Sequence, residues 1–144
     1  MQTLPEEVLY RAPTPGEWPV MSTLAHVVEL MPYWARQARE VAARPRNGEP
    51  FGRTHDDPDR IGAVEQHGRD SLGAALERIR QALDETVRTL RAIPAEGWSR
   101  TARHANRGEM SVEAIVDQFL VSHVEEHLGQ AREAIRAAQS GQVP

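Results

Sequence analysis

Three long segments with the 3.6-residue periodicity of amphipathic helices constrain the fold of this 144-residue chain more than any other feature. Apolar residues recur at intervals of three and four between residues 19 and 43, 57 and 93, and 111 and 139. The loops between these segments are rich in proline, glycine and charged residues. No run alternates strictly enough, with enough β-branched residues, to predict a strand. The pattern predicts an all-α bundle, with residues 1–144 forming one domain.

Capping residues indicate where the predicted helices begin. Pro19 suits the first position of the first long helix, and Asp57 followed by Pro58 is typical of an N-cap and first helical residue. Ser111 is the expected N-cap of the last helix. The middle segment, predicted as one continuous helix, has the clearest apolar stripe, which we expect to face the core: Ile61, Gly68, Leu72, Leu76, Ile79, Leu83, Val87 and Leu90.

The composition excludes several classes of function. A formal net charge of −4 gives no electrostatic basis for binding nucleic acid, and no apolar stretch is long enough for a membrane span. All 17 cationic residues are arginines, so lysine chemistry is excluded. There is no cysteine, which excludes disulfides, thiolate ligands and a cysteine nucleophile. No secretory signal is visible at the N-terminus, so we expect a cytoplasmic protein.

Two histidines lie inside the apolar stripe of the last predicted helix. His123 and His127 are four residues apart, so a helix places them on one face, together with Phe119 and Leu120. Buried imidazoles need partners, because an unpaired buried polar group costs about 1–3 kcal/mol. Either hydrogen bonds within the core or a metal ion can satisfy them.

His26 is the candidate for a third ligand. It lies on the first long helix, at the edge of a wide apolar sector, and facing helices of a bundle bring such distant residues together. Three neutral imidazoles can hold Zn²⁺, Ni²⁺ or Fe²⁺ and leave coordination positions open for water or substrate.

Three separated motifs resemble those of the DinB-like proteins of the DinB/YfiT-like superfamily. Residues 17–28 resemble the "W…LAH" start of that family's second helix, and residues 122–130 resemble its "H…HLGQ" segment. Residues 107–112 resemble the turn before that segment. The resemblance covers about residues 5–136. It implies a four-helix bundle, with metal ligands at the positions of His26, His123 and His127.

The resemblance also implies a reaction class. Some members of the family are metal-dependent transferases that use low-molecular-weight thiols such as bacillithiol or mycothiol, and related isomerases depend on mycothiol. A protein of this kind acts on a small-molecule substrate. Many other members have no known activity, so the alternative is a non-catalytic metal-binding or stress-response protein. A purely structural bundle, in which the histidines bind nothing, is a third reading.

Two features depart from the family pattern. Pro19 follows Trp18 where the family commonly has Ser, which alters only the helix cap. The family's first helix is also longer than the residues before Trp18 allow. We therefore expect a shortened first helix that docks as a partial helix, and a homodimer that covers the remaining apolar surface. The alternative is that the sequence starts downstream of the natural first residue.

Other polar residues near the predicted site have candidate roles. Glu126 lies close to the histidine face and is a candidate proton acceptor, and Gln130 is a candidate for orienting a ligand or a water molecule. Tyr33 lies on the His26 side of its helix and could line a pocket for the cofactor. The predicted catalytic residues are therefore Glu126 and Gln130, with Tyr33 in cofactor binding.

The remaining histidines and the tryptophans are expected to lie outside the predicted metal site. We expect His67 to face solvent, because it lies away from the apolar stripe of its helix. His55 is expected to be a solvated loop residue, with a position at the mouth of a site as the alternative. His104 is expected to be a loop residue without a partner. The tryptophans, including Trp18 and Trp34, are expected to be packing anchors.

Overall fold

The computed structural model describes residues 4–140. The α-helices, numbered α1 to α6 in chain order, are Glu6–Tyr10, Val20–Ala43, Pro58–His67, Leu72–Arg91, Val112–Ile115 and Ser122–Gln139. A 3₁₀-helix covers Ala95–Ser99, and a π-helical turn covers Val116–Val121 between α5 and α6. The expected predominance of helix is confirmed. None of these helices has both the length and the apolar composition of a membrane span.

A small sheet corrects the prediction of an all-α fold. Strands β1 (Glu49–Phe51), β2 (Thr101–His104) and β3 (Gly108–Ser111) form it in the order β1-β2-β3, with β1 parallel to β2 and β2 antiparallel to β3. The turn between β2 and β3 ends at Gly108, whose φ of 73° favours glycine. The strands are three or four residues long, too short for alternation in the sequence to reveal them.

Helix α2 lies at the centre of the fold and contacts each of the other five α-helices. Its side chains Met21, Val27, Leu30 and Val41 are almost completely buried. Burial of each such side chain stabilises the fold by about 1.5–3 kcal/mol relative to exposure. His26 belongs to this buried series, with 1 % of its surface exposed. An imidazole therefore occupies a position that packing alone would give to an apolar residue.

The middle segment forms two helices, so the prediction of one continuous helix is wrong. Asp57 caps α3 as expected, and its side chain accepts hydrogen bonds from two backbone N–H groups. Helix α3 ends before Gly68, where a Cβ atom would lie 2.7 Å from the backbone oxygen of Val64. Ser71 then caps α4 by accepting a hydrogen bond from the backbone N–H of Ala74. The N-cap at Ser71 begins a separate helix, which the apolar periodicity alone does not reveal.

Helix α4 buries small residues and leaves large ones at the surface. Ala75, Ala82 and Thr86 are its buried residues, and α4 packs mainly on α2. Leu76 and Leu83, expected in the core, are 54 % and 49 % exposed. Small side chains let two helix backbones approach closely, which turns the leucines toward the edge of the contact.

The N-terminal segment forms a short helix. Helix α1 has five residues and packs against α2 and α6, with Leu9 buried between them. The Tyr10 hydroxyl donates a hydrogen bond of 2.6 Å to the backbone oxygen of Asp70, which ties α1 to the segment between α3 and α4. The expected partial helix is therefore present.

Candidate metal centre

Helices α2 and α6 bring three histidines together. His26 lies on α2, and His123 and His127 lie one turn apart on α6, both half-buried. The ring centroids are 4.7 Å apart for His26 and His127, 5.6 Å for His26 and His123, and 4.6 Å for His123 and His127. One ring nitrogen from each lies within 4.8 Å of the others. The sequence predicted this convergence from helical spacing and the order of motifs.

The π-helical turn positions α6. Its residue Phe119 stacks on Trp34 of α2, with ring centroids 4.3 Å apart and planes 11° apart. A π-helical turn inserts extra backbone into a helix and often occurs at functional sites. It corrects the prediction of a single regular helix from Ser111, although Ser111 is the N-cap, as expected. His123 follows the turn directly, so the turn sets the direction in which α6 presents both of its histidines.

Several ring nitrogens of the cluster are buried without a hydrogen-bond partner. Both nitrogens of His26 and Nε2 of His127 are in this state among the described residues. Nδ1 of His26 lies 3.8 Å from a carboxylate oxygen of Glu29, too far for a hydrogen bond. Nδ1 of His127 lies 3.1 Å from Oε1 of Gln130, and donation from this nitrogen leaves Nε2 with a free lone pair. This arrangement suits a metal ion better than a hydrogen-bonded core.

The three imidazoles are neutral at physiological pH. Burial lowers the pKa of His26 to about 3, with further lowering by His127 and Arg60. Burial also lowers the pKa of His123 and the pKa of His127, although the hydrogen bond to Gln130 partly opposes the shift for His127. Neutral imidazole is the form that binds metals, so no proton has to be displaced for these residues to act as ligands.

Two cavities meet at the cluster. The first has a volume of about 560 Å³ and is lined by all three histidines, together with Arg53, Arg60, Arg107 and Glu126. The second has a volume of about 720 Å³ and lies between α6 and the loop before α2. Arg60 and His127 line both cavities. A ligand can therefore approach all three histidines from the first cavity and His127 from the second cavity as well.

The comparison with protein families agrees with this geometry. A family model described as the DinB superfamily matches residues 1–131. The chain belongs to the DinB superfamily. Members of this superfamily commonly bind metal ions, which is consistent with the three-histidine cluster. No individually curated protein matches the chain.

The other predicted site residues lie at different distances from the cluster of this DinB superfamily protein. Glu126 is exposed and lines the first cavity with His123 and His127. Gln130 contacts His127 and lines the second cavity. Tyr33 is outside the residues that line either cavity, and its ring lies 3.7 Å below the guanidinium of Arg53. The roles assigned to these three residues stay predictions.

Two histidines outside the cluster differ from expectation: His104 is buried and His67 is half-buried. His104 is buried on β2, where the structure gives it two partners: Nε2 lies 3.2 Å from the backbone oxygen of Arg53, and Nδ1 accepts from the N–H of Asn106. The prediction of a loop residue without a partner is wrong for His104, because the short strand was missed. His55 is exposed at the first cavity, and His67 is half-buried and paired with Asp70.

The sequence did not identify the role of Trp18, Arg53 and Arg60. Trp18 is 38 % exposed, and its ring centroid lies 5.2 Å from that of His26 and 6.4 Å from that of His127. It therefore covers the cluster and lines the second cavity. The "W…LAH" motif linked Trp18 to the family but did not indicate this contact. Nothing in the local sequence around the two arginines indicates that they line the site.

Replacing His26 by Leu is expected to stabilise the metal-free protein at pH 7. The change removes two buried nitrogens without partners, and such groups cost about 1–3 kcal/mol. Urea unfolding in EDTA, followed by far-UV circular dichroism, measures the difference. His55→Leu at an exposed position is the control and is expected to leave the midpoint unchanged.

The same pair of proteins tests the pKa of His26. Its pKa is about 3 in the folded state against an ordinary value of 6.5, so the unfolded chain binds a proton between these values and the folded chain does not. The protonation of His26 does not reduce the free energy of unfolding above pH 6.5, and it reduces that free energy progressively as pH falls toward 3. The metal-free wild type should therefore lose stability over this range more steeply than His26→Leu. Equal slopes, or a less stable variant at pH 7, would contradict the burial argument.

Proposed function

We propose that the protein binds a divalent metal ion through His26, His123 and His127. The observation that carries this proposal is the set of buried, neutral ring nitrogens without hydrogen-bond partners on two facing helices. Imidazole ligands accept Zn²⁺, Ni²⁺ or Fe²⁺. Gln130 fixes the orientation of His127, as expected for a residue that supports a ligand.

The proposal extends to catalysis with a low-molecular-weight thiol. Three histidines leave coordination positions open, and the adjacent cavity of about 560 Å³ has room for a small molecule. A bound divalent ion supplies positive charge that lowers the pKa of a thiol. The chain contains no cysteine, so the thiol comes from a cosubstrate of the mycothiol or bacillithiol type. The reaction class is transfer of the thiol to a small electrophile, or an isomerisation assisted by the thiol.

The residues around the cavity have separate roles in this reaction. Glu126 accepts the proton of the thiol as the carbon–sulfur bond forms, and the leaving group departs with its bonding electrons. Gln130 holds His127 in one orientation. Tyr33 supports cofactor binding through Arg53, which covers its ring. Burial keeps the pKa of the Tyr33 hydroxyl above its usual value, so Tyr33 remains neutral.

The proposed fold assignment is the family's four-helix bundle. Helix α1 corresponds to a shortened first helix, and α2, α4 and α6 correspond to the other three. The central position of α2 and the contacts of α1 with both α2 and α6 support this assignment. The sheet and the short helices α3 and α5 are additions between the bundle helices. We further propose a cytoplasmic protein that acts on small molecules and does not bind nucleic acid.

Metal analysis tests the first part of the proposal. The wild type is expected to retain one divalent ion per chain after dialysis against metal-free buffer, measured by plasma mass spectrometry. The variant with His123→Ala and His127→Ala is expected to retain none. A variant with His55→Ala and His67→Ala removes two histidines outside the cluster and should retain the ion. Equal metal content in wild type and the cluster variant would overturn the metal proposal.

Thiol-transfer kinetics test the second part. Metal-loaded wild type is expected to accelerate the coupling of a low-molecular-weight thiol to a chromogenic electrophile. Glu126→Gln should lower kcat/KM about 10²-fold with unchanged metal content, because it removes the proton acceptor. The neighbouring Glu125 is exposed and outside both cavities, so Glu125→Gln is the control. A metal-loaded protein without turnover for any thiol would favour the non-catalytic metal-binding or stress-response alternative.

We propose in addition that the protein is a homodimer through α4. Leu76 and Leu83 lie two helical turns apart on one exposed stripe of this helix. A second copy in antiparallel orientation would place Leu76 against the partner's Leu83, and the reverse, as a two-fold contact requires. Each leucine buried in this way contributes about 1 kcal/mol or more.

Sedimentation equilibrium tests the dimer. Wild type is expected to show twice the chain mass at micromolar concentration, and Leu83→Glu is expected to be a monomer because a carboxylate cannot be buried in an apolar contact. Leu128 is 37 % exposed on α6, so Leu128→Glu adds the same charge outside α4 and should remain dimeric. Monomeric wild type over a broad concentration range would overturn this part of the proposal.

A further inference from the structure

The positive charge beside the histidine cluster is only partly balanced. Nη2 of Arg53 lies 2.5 Å and 2.6 Å from the two carboxylate oxygens of Glu29, and Nη1 of Arg53 lies 3.7 Å from Asp57. The guanidinium of Arg53 is 7 % exposed. The charge of Arg53 is therefore used within the protein, and it holds the loop after β1 against α2.

Arg60 differs from Arg53. Within residues 4–140, no carboxylate oxygen lies within 4.0 Å of its side chain. Its one side-chain hydrogen bond runs from Nη1 to the backbone oxygen of His55, at 2.9 Å. The guanidinium also lies over Trp18, 5.4 Å from the ring centroid. Most of the N–H donors of Arg60 are therefore free, on a side chain whose position is fixed by two neighbours.

The location of Arg60 relates this free charge to the site. It lines both cavities and shares both walls with His127. Partial burial lowers the pKa of Arg60 itself, and the charge of Arg53 lowers it further, while Glu29 and Asp57 act in the opposite direction. A partly buried guanidinium with free N–H donors favours an anion supplied by a ligand.

We propose that Arg60 binds the carboxylate of the substrate and thereby selects carboxylate-bearing electrophiles at the junction of the two cavities. This inference rests on the proposed function for the identity of the reaction. The planar guanidinium matches a carboxylate through two parallel hydrogen bonds. A phosphate monoester carries about −1.5 to −2 charge and would need a second free cation at the junction, where Arg53 is already paired and Arg107 lines only the first cavity. Anchoring at Arg60 places the rest of the substrate along the wall shared with His127.

Isothermal titration calorimetry with phenylacetate and its neutral analogue phenylacetamide tests the proposal on the metal-loaded and metal-free proteins. Wild type is expected to bind phenylacetate at least about tenfold more tightly than the amide. Arg60→Gln should weaken phenylacetate binding about 10- to 100-fold, the loss expected for a charged hydrogen-bonded pair, and leave amide binding unchanged. Arg60→Lys keeps the charge without the planar pair of donors, so it should recover part of the affinity.

Arg107→Gln is the matched control for general electrostatics. Arg107 lines the same cavity, but its Nη1 donates to Oε1 of Gln118 at 3.2 Å and it is absent from the second cavity. Its replacement should change phenylacetate affinity by less than about threefold, because Arg107 is exposed and a charge screened by solvent contributes little. An equal loss of phenylacetate affinity in both variants would show that overall positive charge, and not a specific contact with Arg60, attracts the anion. That result would overturn the proposal. Circular dichroism of each variant verifies that the fold is intact.

The titrations separate this proposal from the proposed metal function. Metal loading without preference for phenylacetate over the amide would overturn the role of Arg60 and leave the metal function standing. Phenylacetate binding that requires the metal but is unchanged in Arg60→Gln would indicate that the carboxylate binds the ion. That result would also overturn the role of Arg60. A protein that loads no metal but loses phenylacetate binding on Arg60→Gln would support Arg60 and reject the metal function.

Discussion

The stack of Trp34 on Phe119 is the contact on which the remainder of the site depends. Its ring planes are 11° apart, and it joins the central helix α2 to the π-helical turn that precedes α6. Phe51 and His104 from the sheet pack around the same pair, with ring centroids 4.7–6.4 Å from the stacked rings. One aromatic cluster thus fixes helix α2, the sheet and helix α6 relative to one another. Loss of either stacked ring would remove an interaction of about 0.5–1.5 kcal/mol beyond its burial, at the point where α6 takes its direction.

The sheet affects the chemistry of the site through this cluster. His104 on β2 lies 3.2 Å from the backbone oxygen of Arg53, whose side chain then pairs with Glu29 on α2. The loop that leads to Arg60 is therefore held at Arg53 through both the backbone and the side chain of that residue. Gly52, with φ of 82°, allows this loop to pass His104, since a Cβ atom there would lie 3.0 Å from the ring. The missed strands consequently support the wall of the candidate site, and the correction to the all-α prediction bears on function as well as on fold.

Helical periodicity and capping residues predicted the parts of the structure that depend on local chemistry. They gave the extent of α2, the N-caps Asp57 and Ser111, and the common face of His123 and His127. They did not predict which apolar residues are covered. A stripe shows that one face of a helix is apolar, but its neighbours decide which part of that face they contact. In α4, close approach to α2 buried Ala82 and left Leu83 at the surface. Contacts between residues distant in the chain, such as Arg60 with the cluster, leave no local signal.

The charges around the histidine cluster together determine which ligands the site favours. The three histidines contribute no negative charge, Glu29 is paired with Arg53, and Glu126 is exposed to solvent. A divalent cation in this position would add to the unbalanced charge of Arg60 at short range, where low polarity strengthens repulsion. A carboxylate bound to Arg60 would offset part of that repulsion, so binding of the anion would favour binding of the metal. Linkage requires this coupling to be reciprocal. In the proposed function, the affinity of the three histidines for a metal and the affinity of Arg60 for a substrate are therefore linked.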